Sequence, residues 1–185
     1  MSARERILDA AEELFAELGF DATPTSRIAE LAGVPKGLVH YYFRRKPDLL
    51  AALVRRLPED PVDVTAVVVP GDVEQSLRRL VAVLDARLDS TPLLSHLLWR
   101  ESDTHEAVRE AMRGRFDRMV QEIRAVLVAA RPDAPGSADV DSAAELLGLA
   151  VSYRHSVARH TPDWSERGNR MEREVAFIAK ALRGM

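Results

Sequence analysis

A chain of 185 residues, 46% hydrophobic and 30% charged with a formal net charge of −3, has enough apolar material for a sizeable core. It contains no cysteine, which excludes a disulfide framework, thiolate metal sites and a cysteine nucleophile. No apolar run approaches the roughly 20 residues of a membrane span, and Met1 leads straight into charged residues, so a cytoplasmic chain without a leader or membrane segment is expected.

The first predicted helix runs from Ser2 to Gly19. Ser2 and Glu5 make a capping box, and Ile7, Leu8, Ala11, Leu14, Phe15 and Leu18 form an apolar stripe. Gly19 stops the helix and Phe20 can fold back on its last turn. A second short helix opens at Thr25-Ser26, which can cap it, and turns Ile28, Ala29 and Ala32 to one face. Gly33 ends it where a positive φ costs nothing. Pro35 suits the first turn of a third helix over 36–43, with Val39 and Phe43 inward and Lys36, His40, Tyr41 and Tyr42 on the other faces. Phe15, Leu18, Val39 and Phe43 are expected to share one small core. Two short helices about a glycine turn, the second rich in groups that reach bases or phosphates, read as helix-turn-helix. Between Thr25 and Leu57 stand seven cations (Arg27, Lys36, Arg44, Arg45, Lys46, Arg55, Arg56) against Glu30 and Asp48. That local surplus is the footprint of phosphate binding.

Pro47 begins a fourth helix carrying Leu49, Leu50, Leu53, Val54 and Leu57. Three prolines and a β-branched run make a helix unfavourable over 58–71, which predicts an extended arm, packing Val67 and Val69, or a loop. Helical period returns over 72–88, with Val73, Leu77, Leu80, Val81, Leu84 and Leu88 inward. The stretch 93–100 is almost wholly apolar and predicts a buried helix ending at Trp99. A long helix over 106–130 faces Val108, Ala111, Met112, Phe116, Met119, Val120, Ile123 and Leu127 inward. Pro132, Pro135 and Gly136 break the chain, and two closing helices, about 141–160 and 165–182, meet across a TPDW turn.

The run from Arg6 to Leu53, with ILDAAEELFAELGF, IAELAGV, KGLVHYYF and RRKPDLLAAL, closely resembles the DNA-binding region of TetR-type bacterial transcriptional regulators. The resemblance covers roughly the first third of the chain. It implies an all-α protein of about nine helices: a three-helix DNA-binding domain over 1–46 and a helical regulatory and dimerisation domain over 47–185. It further implies a ligand-responsive repressor that binds a palindromic double-stranded DNA operator as a homodimer, with a small-molecule effector and no cofactor. The residues expected at DNA are Thr25, Ser26, Arg27, Lys36, Gly37, His40, Tyr41, Tyr42 and Lys46. Lys36 lies where a helix entering the major groove meets bases, and the tyrosine hydroxyls, Thr25, Ser26 and Lys46 suit phosphates. His40 occupies a place where the family more often has tyrosine.

In the family the closing helices pair with their twins from a second subunit, so Ala143, Leu147, Ala150, Val175 and Ile178 are expected at a dimer interface. The small residues Ala143, Ala144, Gly148 and Ala150 permit close approach there, although packing within one chain uses the same residues. Trp99, Met112, Phe116 and Tyr153, with His96, can line an effector cavity between helices; a filled core fits the same stripes equally well.

Catalysis finds little support. The candidates are His96, Glu101, Asp103, His105, His155 and His160, and no H-E-x-x-H, phosphate loop, G-x-S-x-G or G-x-G-x-x-G occurs. No catalytic or metal-binding set is therefore expected. The alternative to a DNA-binding regulator is a helical module that binds a protein partner or senses metal or pH without an operator.

Overall fold

Local chemistry explains the start of the chain. In the computed structural model, which describes residues 1–58, 60–131, 138–156 and 170–183, Ser2 is the N-cap of α1 (Ala3–Leu18). Its Oγ accepts from the Glu5 amide at 3.2 Å, and Glu5 Oε2 accepts from the Ser2 amide at 2.7 Å. Gly19 ends the helix at φ 89°, where a side chain would be strained. Thr23, fully buried, seals the same end: its hydroxyl reaches Gly19 O at 2.7 Å and Leu14 O at 3.2 Å.

The next two helices differ from expectation at their starts. Extended Pro24 is the N-cap of α2 (Thr25–Leu31) and no side chain caps it, so Thr25 and Ser26 lie inside the first turn rather than capping it. Gly33 makes the turn at φ 62°. Pro35 is the N-cap of α3 (Lys36–Tyr42), not its first helical residue, and Phe43 closes α3 in an extended conformation. The fourth helix, α4 (Lys46–Val54), starts one residue before Pro47; the Asp48 carboxylate accepts from the Arg45 amide at 2.9 Å. Leu57 lies beyond its end, yet is buried.

The proline-rich stretch after Leu57 holds a helix after all, one turn long. Asp63 caps α5 (Val64–Val67): its Oδ1 accepts from the amides of Thr65 and Ala66 at 2.9 and 3.3 Å. The prolines flank this turn rather than enter it. Val67 is buried, as an arm would bury it, and Val69 only partly. Then follow α6 (Val73–Asp89, capped by Asp72), α7 (Pro92–Glu101), α8 (Glu106–Ala130), α9 (Ala138–Ser156) and α10 (Arg170–Arg183). The described residues thus form ten helices, one more than expected, and no strand. The predicted break at Pro132, Pro135 and Gly136, the TPDW turn, and Val157 and His160 lie outside the described residues.

The helices pack into two compact units, and the division does not follow the expected 46/47 boundary. The first comprises Met1–Pro58 and Thr91–Arg113, and the second Glu59–Ser90 and Gly114–Met185. The first core gathers Ile7, Leu8, Phe15, Ile28, Val39, Leu49, Leu50 and Leu53 with Leu94, Leu97 and Leu98 of α7; Phe43 joins them and Leu18 packs partly buried at the side. Each large side chain fully removed from water contributes roughly 1.5–3 kcal/mol. The second core joins Leu77, Leu80 and Leu84 of α6, Ile123 and Leu127 of α8, Leu147 and Val151 of α9, and Val175 of α10. Here Gly148 permits close packing: a Cβ on it would stand 3.0 Å from Val120 Cγ2 and 3.4 Å from the Phe116 ring. Among the described residues no helix is long and apolar enough to cross a membrane.

Candidate nucleic-acid interface

The glycine turn, α2 and α3 present one cationic surface. Ile28, Ala29 and Val39 anchor the two helices in the first core, which fixes what faces out. On α3 that is Lys36, Gly37, His40, Tyr41 and Tyr42, all exposed; on α2 it is Ser26 and Arg27, with Thr25 half-buried. Tyr41 is 77% exposed and its ring is braced edge-on by Tyr42, centroids 5.2 Å apart. Lys36 opens α3, where its charge sits at the start of the helix. The structure therefore brings eight of the nine expected DNA residues onto one pair of short helices.

Lys46 is the exception. Its Nζ donates to Asp21 O at 3.1 Å and lies 4.5 Å from the Phe20 ring centroid and 6.0 Å from that of Phe15. Burial lowers its pKa, with the charges of Asp21 and Glu101 acting the other way. Its ammonium is thus engaged by the protein's own chain between the end of α1 and α4, apart from the other residues expected at phosphates. Arg56 is engaged in the same manner, 2.6 Å from Asp9 and 3.7 Å from Glu12, and Arg45 pairs with Asp48. Among the described residues no ion pair takes up Arg27, Lys36, Arg44 or Arg55. The charge surplus read from the sequence is thus narrower than seven cations: Arg27 on α2, Lys36 on α3, Arg44 just after α3 and Arg55 at the end of α4.

The expected effector residues do not gather in one unit. Met112 packs partly buried on the first core, while Phe116 does so on the second, against Gly148 and its neighbours. Trp99 is 45% exposed, so α7 is buried through Leu94, Leu97 and Leu98 and not along its whole surface. Tyr153 is 61% exposed, and the His96 side chain lies outside the described residues. The second unit does hold a cleft of about 220 Å³, bounded by Val81, Ala82, Asp85, Arg154, Met171 and Val175. Its polar wall is a network that sequence reasoning missed. His155, buried, has Nε2 2.8 Å from Asp85 Oδ1 and Nδ1 3.4 Å from Asp89 Oδ1, and Arg154 pairs with Asp85 Oδ2. Burial pushes the Asp85 carboxyl up, but the hydrogen bonds from His155 and Arg154 outweigh it and hold the pKa below its ordinary value. Partners 70 residues apart leave no local signal in a sequence. Among the described residues no group of three or more histidine or acidic side chains is arranged for a metal ion.

The expected dimer residues point inward. Leu147 and Val175 are buried in the second core, Ala143 and Ile178 nearly so, and Ala150 packs partly against it. Leu147 and Val175 have almost no surface left to offer a second chain. What α9 and α10 do expose are Leu146, Leu149, Tyr153 and Phe177, at 61, 52, 61 and 71%.

Comparison with known proteins agrees with this geometry. The profile of bacterial regulatory proteins, tetR family, matches residues 7–53. The fatty acid metabolism regulator protein of Bacillus subtilis is 42% identical over 50 residues, which cover 27% of this chain and 26% of that protein. The chain thus matches about a quarter of the length of that relative. Two solved structures extend the likeness in fold over nearly the whole chain. A transcriptional regulator from Rhodococcus sp. Rha1 has a TM-score of 0.68 at 22% identity, covering 98% of this chain and 97% of that one. The SmeT–triclosan complex has a TM-score of 0.68 at 22% identity, covering 98 and 91%. Over residues 7–53 the chain is thus similar in sequence to the bacterial regulatory proteins of the tetR family, and over nearly its whole length it shares the all-helical fold of these solved regulators.

Proposed function

We propose that this protein is a transcriptional regulator that reads duplex DNA with α3 and acts as a ligand-responsive repressor, binding a palindromic operator as a homodimer. The observation that carries the reading is the outward face of α3, where lysine, glycine, histidine and two tyrosines stand free of the protein's own core. Gly37 is the telling member. Glycine inside a helix costs roughly 0.5–1 kcal/mol relative to alanine. Nothing lies within 4 Å of where its Cβ would be, so the fold itself has no need of it. Close approach of a DNA backbone or base edge supplies the need. Lys36 at the head of α3 then meets bases, while Thr25, Ser26, Arg27 and the tyrosine hydroxyls hold phosphates.

One head offers a single short helix, whereas a two-fold dimer reads two half-sites about one helical turn apart. Leu146, Leu149, Tyr153 and Phe177 supply apolar surface for that contact. Ligand response is supported by the solved neighbour that holds triclosan, and the cleft beside Asp85 and Arg154 offers a small molecule both apolar and charged walls. Selection from a random duplex library with the purified protein tests the reading, followed by displacement with a panel of small molecules. Enrichment of a palindrome is expected, and a library that emerges unenriched would refute DNA recognition.

A further inference from the structure

Resting on the DNA-binding reading above, we infer that Arg4, on α1 and outside the helix-turn-helix, is a phosphate contact positioned by the residue that ends the recognition helix. Its Cζ stands 5.5 Å from the Phe43 ring centroid. Phe43 closes α3 and is buried in the first core, so the ring is a fixed platform. A guanidinium held over a ring face is steadied there while its N–H groups stay open to an oxyanion. Arg4 is exposed, and so is Arg44, the next residue after Phe43. The nearby carboxylates are taken: Glu5 accepts from the Ser2 amide, and Asp48 accepts from the Arg45 amide and side chain. Among the described residues no ion pair engages Arg4 or Arg44, which leaves two guanidiniums beside the end of α3 without a counter-charge.

Helix stability does not account for Arg4. It lies in the first turn of α1, where the macrodipole disfavours a cation. Its cation–π contact with Phe43 keeps it beside the recognition helix, where a phosphate flanking the half-site would neutralise it. Such a contact fixes the head on the backbone and carries no base preference.

The test compares wild type, Arg4→Gln and Arg4→Lys by fluorescence anisotropy across a salt series. The probes are a duplex recovered by selection with the wild type and a scrambled duplex of the same composition. Arg4→Gln is expected to weaken both duplexes by a similar factor and to reduce the slope of log K against log salt by about one unit. A fourfold rise in salt then weakens its binding about three- to fourfold less than that of the wild type. Arg4→Lys is expected to retain the slope. An Arg4→Gln slope equal to that of the wild type overturns the inference, whether or not its thermal midpoint falls, since that outcome makes Arg4 a staple on Phe43. A loss confined to the selected duplex overturns it too, because a backbone contact acts on both. If the wild type itself shows no salt-dependent binding, the DNA-binding reading falls; if it binds and Arg4→Gln matches it, only the present inference does.

Discussion

Two of the faces on which this molecule exposes aromatic side chains have different neighbours. On α3, Tyr41 and Tyr42 stand among Lys36, His40 and the arginines that follow Phe43. On α9, Leu146, Leu149 and Tyr153 recur at three- and four-residue spacing along one stripe, and α10 exposes Phe177. A tyrosine in a cationic field has a hydroxyl to give a phosphate and loses little by remaining wet. A leucine stripe has nothing to give water, and covering it gains about 25 cal/mol per Å². On the proposed reading the two exposed faces suit different partners: an anionic polymer at α3, and an apolar surface of the same kind at α9 and α10.

Two leucines of α9, one on either side of Gly148, break this comparison most sharply. Leu147 is buried while Leu149 is half exposed. Leu147→Asp puts a charge into the second core and should cost more than about 4 kcal/mol, seen as loss of helical circular dichroism. Leu149→Asp should keep its helical content and give a monomer by light scattering. DNA affinity should then fall by roughly 10²–10⁴, the advantage of two linked heads. A Leu149→Asp protein that remains a dimer would place the partner surface elsewhere.

Asp85 bears on how α9 is held in place. The network ties α6 to α9, so Asp85→Asn should destabilise the second unit by roughly 1–3 kcal/mol. Its folded pKa lies below the ordinary 3.8. The stability it provides is therefore present above that value and lost as pH falls through the folded pKa. The wild type should lose stability over that acid range more steeply than Asp85→Asn, and parallel acid-unfolding curves would remove the network from the account. On the other face, Lys36→Ala should cost roughly 1–3 kcal/mol on the preferred duplex and relax base preference, measured by competition between selected and scrambled DNA. Lys46→Met separates cations that face DNA from those that face the protein. Losing the contact with the Phe20 ring should cost about 0.5–1 kcal/mol of stability, with the salt slope of DNA binding unchanged. A slope reduced by one unit would return Lys46 to the phosphate contacts.

What the sequence made legible was local. Ser2 with Glu5, and Gly19 and Gly33 at positive φ, are chemical signals spanning a few residues, and they place α1, the turn and α3. The outward set on α3 followed, because Val39 and Phe43 leave only one way for that helix to face. The stripe on α9 was not legible in the same way. Apolar residues occupy Leu146, Leu147, Leu149, Ala150 and Val151 in near succession, so periodicity cannot say which side meets the chain's own core. Packing decides it, through Gly148 drawing α9 against Val120 and Phe116 of α8. Lys46 and Arg4 were hidden for a related reason: Asp21 and Phe43 are far from them in sequence. The one-turn α5 was masked by its flanking prolines, which outweigh a single aspartate cap in any count of propensities.

The smallest expected effect is also the one whose sign discriminates best. Gly37 has open space around its missing Cβ and ordinary helical φ, so Gly37→Ala meets no clash and loses backbone freedom only in the unfolded chain. The variant should be more stable by about 0.4–1 kcal/mol, read as a raised thermal midpoint. On the α9 and α10 face a substitution that raises stability has no reason to weaken DNA binding. On α3 it does under the proposed reading, in which DNA approaches the backbone most closely at Gly37. Gly37→Ala should therefore melt higher and bind the selected duplex more weakly, the two measurements moving in opposite directions. A protein that gains stability and keeps its full affinity would show that DNA does not approach α3 at Gly37, and would shift the close contact toward Lys36 and His40.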